Sequence, residues 1–147
     1  MKTKREKVYK AIEQLRALSH VYMKKRRELA QKVDLTEAQW RMLEEISDEG
    51  FMPSLFAAKS DLTKAAVSKI LKQLQEQKLV EVSSSEKDGR VKEYQLTKRA
   101  AGKLEKLREH RRQAIDAIWM KTDEPLLDAS LEFNEALIQR FLEYSVV

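Results

Sequence analysis

Five residues decide most of what this chain can become: among its 147 residues there are only three glycines and two prolines, where average usage would be about 12%. Sandwiches, barrels and phosphate-cradling loops depend on turns that need those two residue types, so the chain is expected to be mostly helical. A chain of this length buries roughly two thirds of the surface it exposes when unfolded, and needs no covalent staple. Cysteine is absent, which excludes disulfides, thiolate metal sites, a catalytic thiol and sensing by thiol oxidation. Hydrophobic residues at 42% suffice for a core, although 36% of the chain is charged, above the usual quarter. The longest stretch free of Asp, Glu, Lys and Arg, Gly50 to Ala58, is far too short to cross a bilayer. The basic amino terminus carries Glu6, Lys10, Glu13 and Arg16 and lacks the apolar run of a secretion signal. A cytoplasmic protein without membrane association is expected.

Charge is segregated along the chain. Residues 1–32 hold eleven cations and three carboxylates, and residues 33–51 hold one and six. Residues 52–99 hold ten and six, and residues 100–147 seven and nine. Such segregation suits a polyanionic partner for the basic parts, although lysine-rich helices also serve simply as solvated faces.

Apolar residues at Val8, Ala11, Ile12, Leu15, Leu18 and Tyr22 keep the spacing of an amphipathic helix running to Leu29. A second helix opens on the capping-box pattern Thr36-Glu37-Ala38-Gln39 and continues to Gly50. Two short helices follow, one from Pro53 to Ser60 and one capped by Thr63 and running to Gln77. The period then changes from helical to alternating: Val80 and Val82 share a face, as do Tyr94 and Leu96. Between these runs lies Ser84-Ser85-Glu86-Lys87-Asp88-Gly89-Arg90, which predicts a hairpin with a charged tip. A long helix is expected from Thr97 to about Met120 and a last one from near Pro125.

The two short helices have helix-turn-helix spacing. Ala57 is small enough for close helix approach, Asp61-Leu62 falls at the turn, and Val67 and Ile70 pack the second helix back onto the first. The outward residues of that second helix are Thr63, Lys64, Ala65, Ser68, Lys69 and Lys72, with no carboxylate before Glu76. Hydroxyls, lysines and a helix amino terminus suit a phosphate-lined groove. A ribbon placed directly afterwards gives the layout of a winged helix. At its tip Arg90 could enter a narrow minor groove, with Asp88 close enough to orient it and Lys87 and Lys92 adding positive charge. Taken alone, Asp88-Gly89-Arg90 reads as an ordinary turn.

These features resemble the MarR family of bacterial transcriptional regulators. The resemblance is carried by Leu35-Thr36-Glu37-Ala38-Gln39-Trp40, Leu62-Thr63-Lys64-Ala65-Ala66-Val67-Ser68, Leu79-Val80-Glu81, and Asp88-Gly89-Arg90 followed by Leu96-Thr97, and covers nearly the whole chain. It implies a mostly α (α+β) winged helix-turn-helix with long terminal dimerisation helices. It also implies a homodimer whose recognition helices enter successive major grooves of a pseudo-palindromic double-stranded DNA operator, and a small-molecule effector cleft between the lobes. Residues 35–99 would form the winged helix, residues 1–34 and 121–147 the dimerisation helices, and residues 100–120 a long connecting helix, all in one intertwined domain. Two positions depart from the pattern: Asp61 stands where many such turns place glycine, and Gly89 where the family often has a second arginine.

Independently of that resemblance, Tyr9, Ile12, Phe133, Leu137, Phe141 and Tyr144 give the terminal helices more apolar surface than one small lobe covers. That surface either forms a dimer interface or closes the chain's own core. A two-fold dimer would hold its recognition helices about 34 Å apart, matching half-sites roughly 10 base pairs apart. Tyr22, Trp40, Met42 and Trp119 are candidates for lining an effector cleft, with core packing the alternative. His20 and His110 are the only histidines and have no partner at metal-ligand spacing, so neither a metal site nor a cofactor is expected. No nucleophile elbow, phosphate loop or catalytic triad pattern is present, which argues against an enzyme. The expected function is that of a repressor released by a small molecule. The rival is a winged-helix module that binds another protein.

Overall fold

The computed structural model describes residues 2–48, 50–85, 87 and 89–147. Six helices and one antiparallel hairpin follow in the order α1 (Lys4–Gln31), α2 (Glu37–Ser47), α3 (Pro53–Ser60), α4 (Lys64–Glu76), β1 (Val80–Ser84), β2 (Lys92–Leu96), α5 (Lys98–Ile118) and α6 (Glu124–Glu143). The expected order holds throughout. The first helix opens earlier than its apolar stripe predicts, because Thr3 and Glu6 form a capping box with bonds of 3.2 and 2.7 Å. Thr36 and Gln39 do the same for α2. Each reciprocal pair satisfies two amides that a helix start otherwise leaves bare.

Where helices must stop, the chain makes left-handed turns almost without glycine: Asp34, Asp61 and Lys78 have φ of 59°, 58° and 58°. At two of them the amide of the next residue reaches back to the helix, Leu35 N–H to the Ala30 carbonyl at 3.0 Å and Leu79 N–H to the Leu74 carbonyl at 2.8 Å. This is the six-to-one bond of a Schellman ending. Asp61 closes α3 in the same conformation, so the helix-turn-helix makes its turn with an aspartate. Asp and Asn tolerate this region best among residues that have a Cβ.

The chain divides into two compact units, residues 1–109 and 110–147. In the first, the core comprises Ala30, Val33, Leu35, Trp40, Met42, Leu43, Ile46, Phe56, Ala57, Val67, Leu71, Leu74, Leu79, Val80, Ala100, Leu104 and Leu107. All of it lies between residues 30 and 107. The hairpin pairs Val80 with Leu96 and Val82 with Tyr94, setting the predicted apolar face against this core, where Val82, Tyr94 and Leu96 are half-buried. Thr97 fastens the hairpin's base, its amide donating to the Leu79 carbonyl and its hydroxyl to that of Lys78. On α1 only Ala30 is buried, and Val8, Tyr9, Ile12, Leu15, Leu18, Val21 and Tyr22 are exposed. The second unit holds the end of α5 and α6, no residue of which is buried. Leu126, Leu131, Phe133, Ile138, Phe141, Leu142 and Tyr144 are exposed there, while Leu127 and Leu137 are half-buried. No helix among the described residues is long and apolar enough to cross a membrane.

Candidate nucleic-acid interface

The amphipathic pattern of α4 separates structure from display. Val67, Leu71 and Leu74 point into the core, and Ala57 is buried opposite them on α3, as its small size predicted. Ile70 is partly buried against the same cluster. Thr63 sits at the N-cap and its hydroxyl oxygen accepts the Ala66 amide at 3.0 Å, which leaves its O–H free to donate outward. Lys64, Ala65, Ser68, Lys69 and Lys72 are all exposed, and the first turn holds no acid to oppose an anion at the helix amino terminus. The frame behind this face is fixed by side-chain bonds. Lys59 on α3 donates to Glu45 on α2 at 2.9 Å, and Gln39 on α2 donates to Gln73 on α4 at 3.4 Å. The hydrogen bond from Glu45 holds the Lys59 ammonium above the usual lysine range.

The hairpin narrows to a closing bond from the Ser85 amide to the Val91 carbonyl at 2.7 Å. Lys87 and Arg90 at its tip and Lys92 at the start of β2 are exposed. Asp88 lies outside the described residues, and with it the expected contact to Arg90. The outward cations thus occur on two neighbouring elements, a helix and the ribbon that follows it. This is the arrangement a duplex can engage through one groove and an adjacent groove.

The residues considered for an effector cleft are not gathered at an open space in the first unit. Trp40 and Met42 are 1% and 0% exposed and belong to the core. The Trp40 indole N–H donates to Glu44 at 2.7 Å, and its ring carries the Arg26 guanidinium 3.8 Å from the centroid. Tyr22 is 45% exposed on α1, and Trp119 is 49% exposed in the second unit. A cavity of about 810 Å³ lies instead between the α2–α3 loop and β2, lined in part by Ile46, Phe51, Met52, Val91, Tyr94 and Leu96. Phe51 meets Tyr94 edge-on there, with ring centroids 5.4 Å apart. The sequence signal for this site was the uncharged run around Phe51, but no local pattern joins it to a strand forty residues later. Among the described residues no group of three or more His, Cys, Asp or Glu is placed to hold a metal ion.

Residues 33–91 match the model of the MarR family. Over this stretch, about two fifths of the chain, the sequence is similar to that family. That family is one of transcription regulators, not of enzymes. Solved MarR structures share the fold over most of this chain. A MarR family transcription regulator superposes with a TM-score of 0.86 at 20% identity, covering 95% of this chain and 93% of its own. The Staphylococcus aureus MarR in complex with salicylate and kanamycin gives 0.79 at 18% identity, with 94% of each chain covered. A variant of the S. aureus regulator MepR, bound to an oligodeoxyribonucleotide, gives 0.61 at 20% identity, covering 92% of this chain and 98% of its own. No match is found among curated protein sequences. The matched residues span α2, α3, α4 and β1.

Proposed function

We propose that this chain is a homodimeric transcriptional regulator that binds double-stranded DNA, and that it represses by occupying a pseudo-palindromic operator until a small molecule releases it. The observation that carries the reading is the outward face of α4, where Thr63, Lys64, Ala65, Ser68, Lys69 and Lys72 are exposed with no acid in the first turn, followed at once by a ribbon with a cationic tip. The MepR variant bound to an oligodeoxyribonucleotide supports DNA as the partner. The S. aureus MarR complex with salicylate and kanamycin supports small-molecule control. Dimerisation is supported by the exposed apolar residues of α1 and of α6, including Tyr9, Ile12, Phe133 and Phe141, because so many large apolar side chains left in water on each helix mark an interface. Repression by occupancy needs no chemistry. An effector that prefers the incompetent conformation a hundredfold supplies about 2.7 kcal/mol of coupling, enough for release.

The test is a salt titration of binding to duplexes selected with the purified chain. With six to ten phosphate contacts, affinity falls by about three to five decades between 50 and 200 mM salt. A flat response would instead favour a winged-helix module whose partner is another protein.

A further inference from the structure

One tie between α1 and α2 is ionic. Glu37, in the first turn of α2, is buried, and each of its carboxylate oxygens accepts from a different arginine. Arg26 Nε on α1 donates to Oε1 at 3.2 Å, and Arg41 Nε donates to Oε2 at 3.0 Å. The Arg26 side chain is itself only 13% exposed, and its guanidinium carbon lies over the Trp40 ring. Beyond this cluster the last turns of α1 pack on the core, where Leu29 is partly buried and Ala30 fully so.

Apolar contact alone would let α1 slide and roll on α2, since such contact is non-directional. A carboxylate shared between two guanidinium forks, one of them stacked on an indole, fixes both roll and angle. Buried ion pairs commonly add less stability than a well-packed apolar replacement and are better understood as devices of specificity. The lever is long: α1 runs back from Arg26 to Lys4, about 33 Å at 1.5 Å per residue. A 5° change at the joint therefore displaces its far end by roughly 3 Å, about the rise of one base pair.

We infer that Arg26 and Glu37 are positioning residues, which set the separation of the two recognition helices in the dimer by locking α1 to the DNA-binding region. This inference rests on the function proposed above and names the joint through which it is tuned.

Duplexes selected with the wild-type chain from a random-sequence library are resynthesised in four forms: unchanged, with one base pair inserted at the centre, with one removed, and as a single half-site. Wild type, Arg26→Lys and Glu37→Gln are titrated on all four, with helicity and sedimentation recorded for each. Wild type loses about tenfold or more on the respaced duplexes, a coupling of ordinary size. The variants, folded and dimeric, lose about fivefold on the unchanged duplex, keep wild-type affinity for the half-site, and discriminate between spacings by less than about threefold. Arg26→Lys keeps the charge and decides the matter if Glu37→Gln does not fold. Variants that keep wild-type spacing discrimination overturn the inference, and so does an equal loss on half-site and full duplex, which marks a merely structural role. A wild-type chain that selects no duplex overturns both the inference and the function beneath it.

Discussion

Lys78 holds φ at +58° with a side chain that gains nothing there, since lysine cannot make the short local bonds that ease Asp into the same region. Replacing it with glycine removes a Cβ penalty of about 1–2 kcal/mol and adds flexibility to the unfolded chain, so Lys78→Gly should stabilise by about 0.5–1 kcal/mol in denaturant titration. Asp61→Gly should give less, because aspartate is already among the tolerant residues. On α4, Lys69→Ala and Lys72→Ala should each lower DNA affinity on every sequence alike and reduce the slope of log affinity against log salt by about 1, as read by fluorescence anisotropy. Those lysines were legible in the sequence because a helix three turns long, with Val67, Leu71 and Leu74 inward, leaves no doubt about its other face. Asp61 was legible as a turn position but not as left-handed, since glycine is the usual signal and here is missing.

At the level of elements, the order of helices and hairpin could be read from periodicity because each element is long or sharply bounded. The apolar face of the hairpin followed from the alternation of Val80, Val82, Tyr94 and Leu96, and the pairing of Val80 with Leu96 came from the structure. The role of α2 could not be read so far. Aromatic and thioether side chains such as Trp40 and Met42 suit a core and a cleft equally well. Trp40 is packed in the core, and Arg26, from fourteen positions earlier, lies over its ring. Long-range ion pairs such as Arg26–Glu37 leave no periodic trace, and the cavity beside Tyr94 joins segments with no shared pattern. For the ribbon, the expected result is specific: Arg90→Ala should weaken binding most on operators with A-tract flanks, whose narrow minor groove attracts a guanidinium. An unchanged preference between A-tract and mixed flanks in competition assays would remove Arg90 from the groove.

Over the whole molecule, the core lies between residues 30 and 107, while the apolar residues of α1 before that point and those of α6 remain exposed in a single chain. The proposed homodimer would bury them, so thermal stability should depend on concentration. Each tenfold rise in chain concentration is worth about 1.4 kcal/mol per dimer, which for a dimer of this size raises Tm by about 2 °C. Calorimetry over two decades of concentration checks this, and Phe141→Asp should abolish the dependence. A Tm that stays constant for wild type would mean that the terminal helices pair with nothing.

The confinement of the core to the middle of the chain has an evolutionary consequence. In the proposed dimer, the residues that would choose a mate and the residues that hold the first unit's core together are different residues, so the two can drift under separate selection. Duplicated copies of such a gene could alter the stripes of α1 and α6 until they no longer cross-assemble, without disturbing how either copy meets its target sequence. A lineage could in this way accumulate many insulated switches from one ancestral fold.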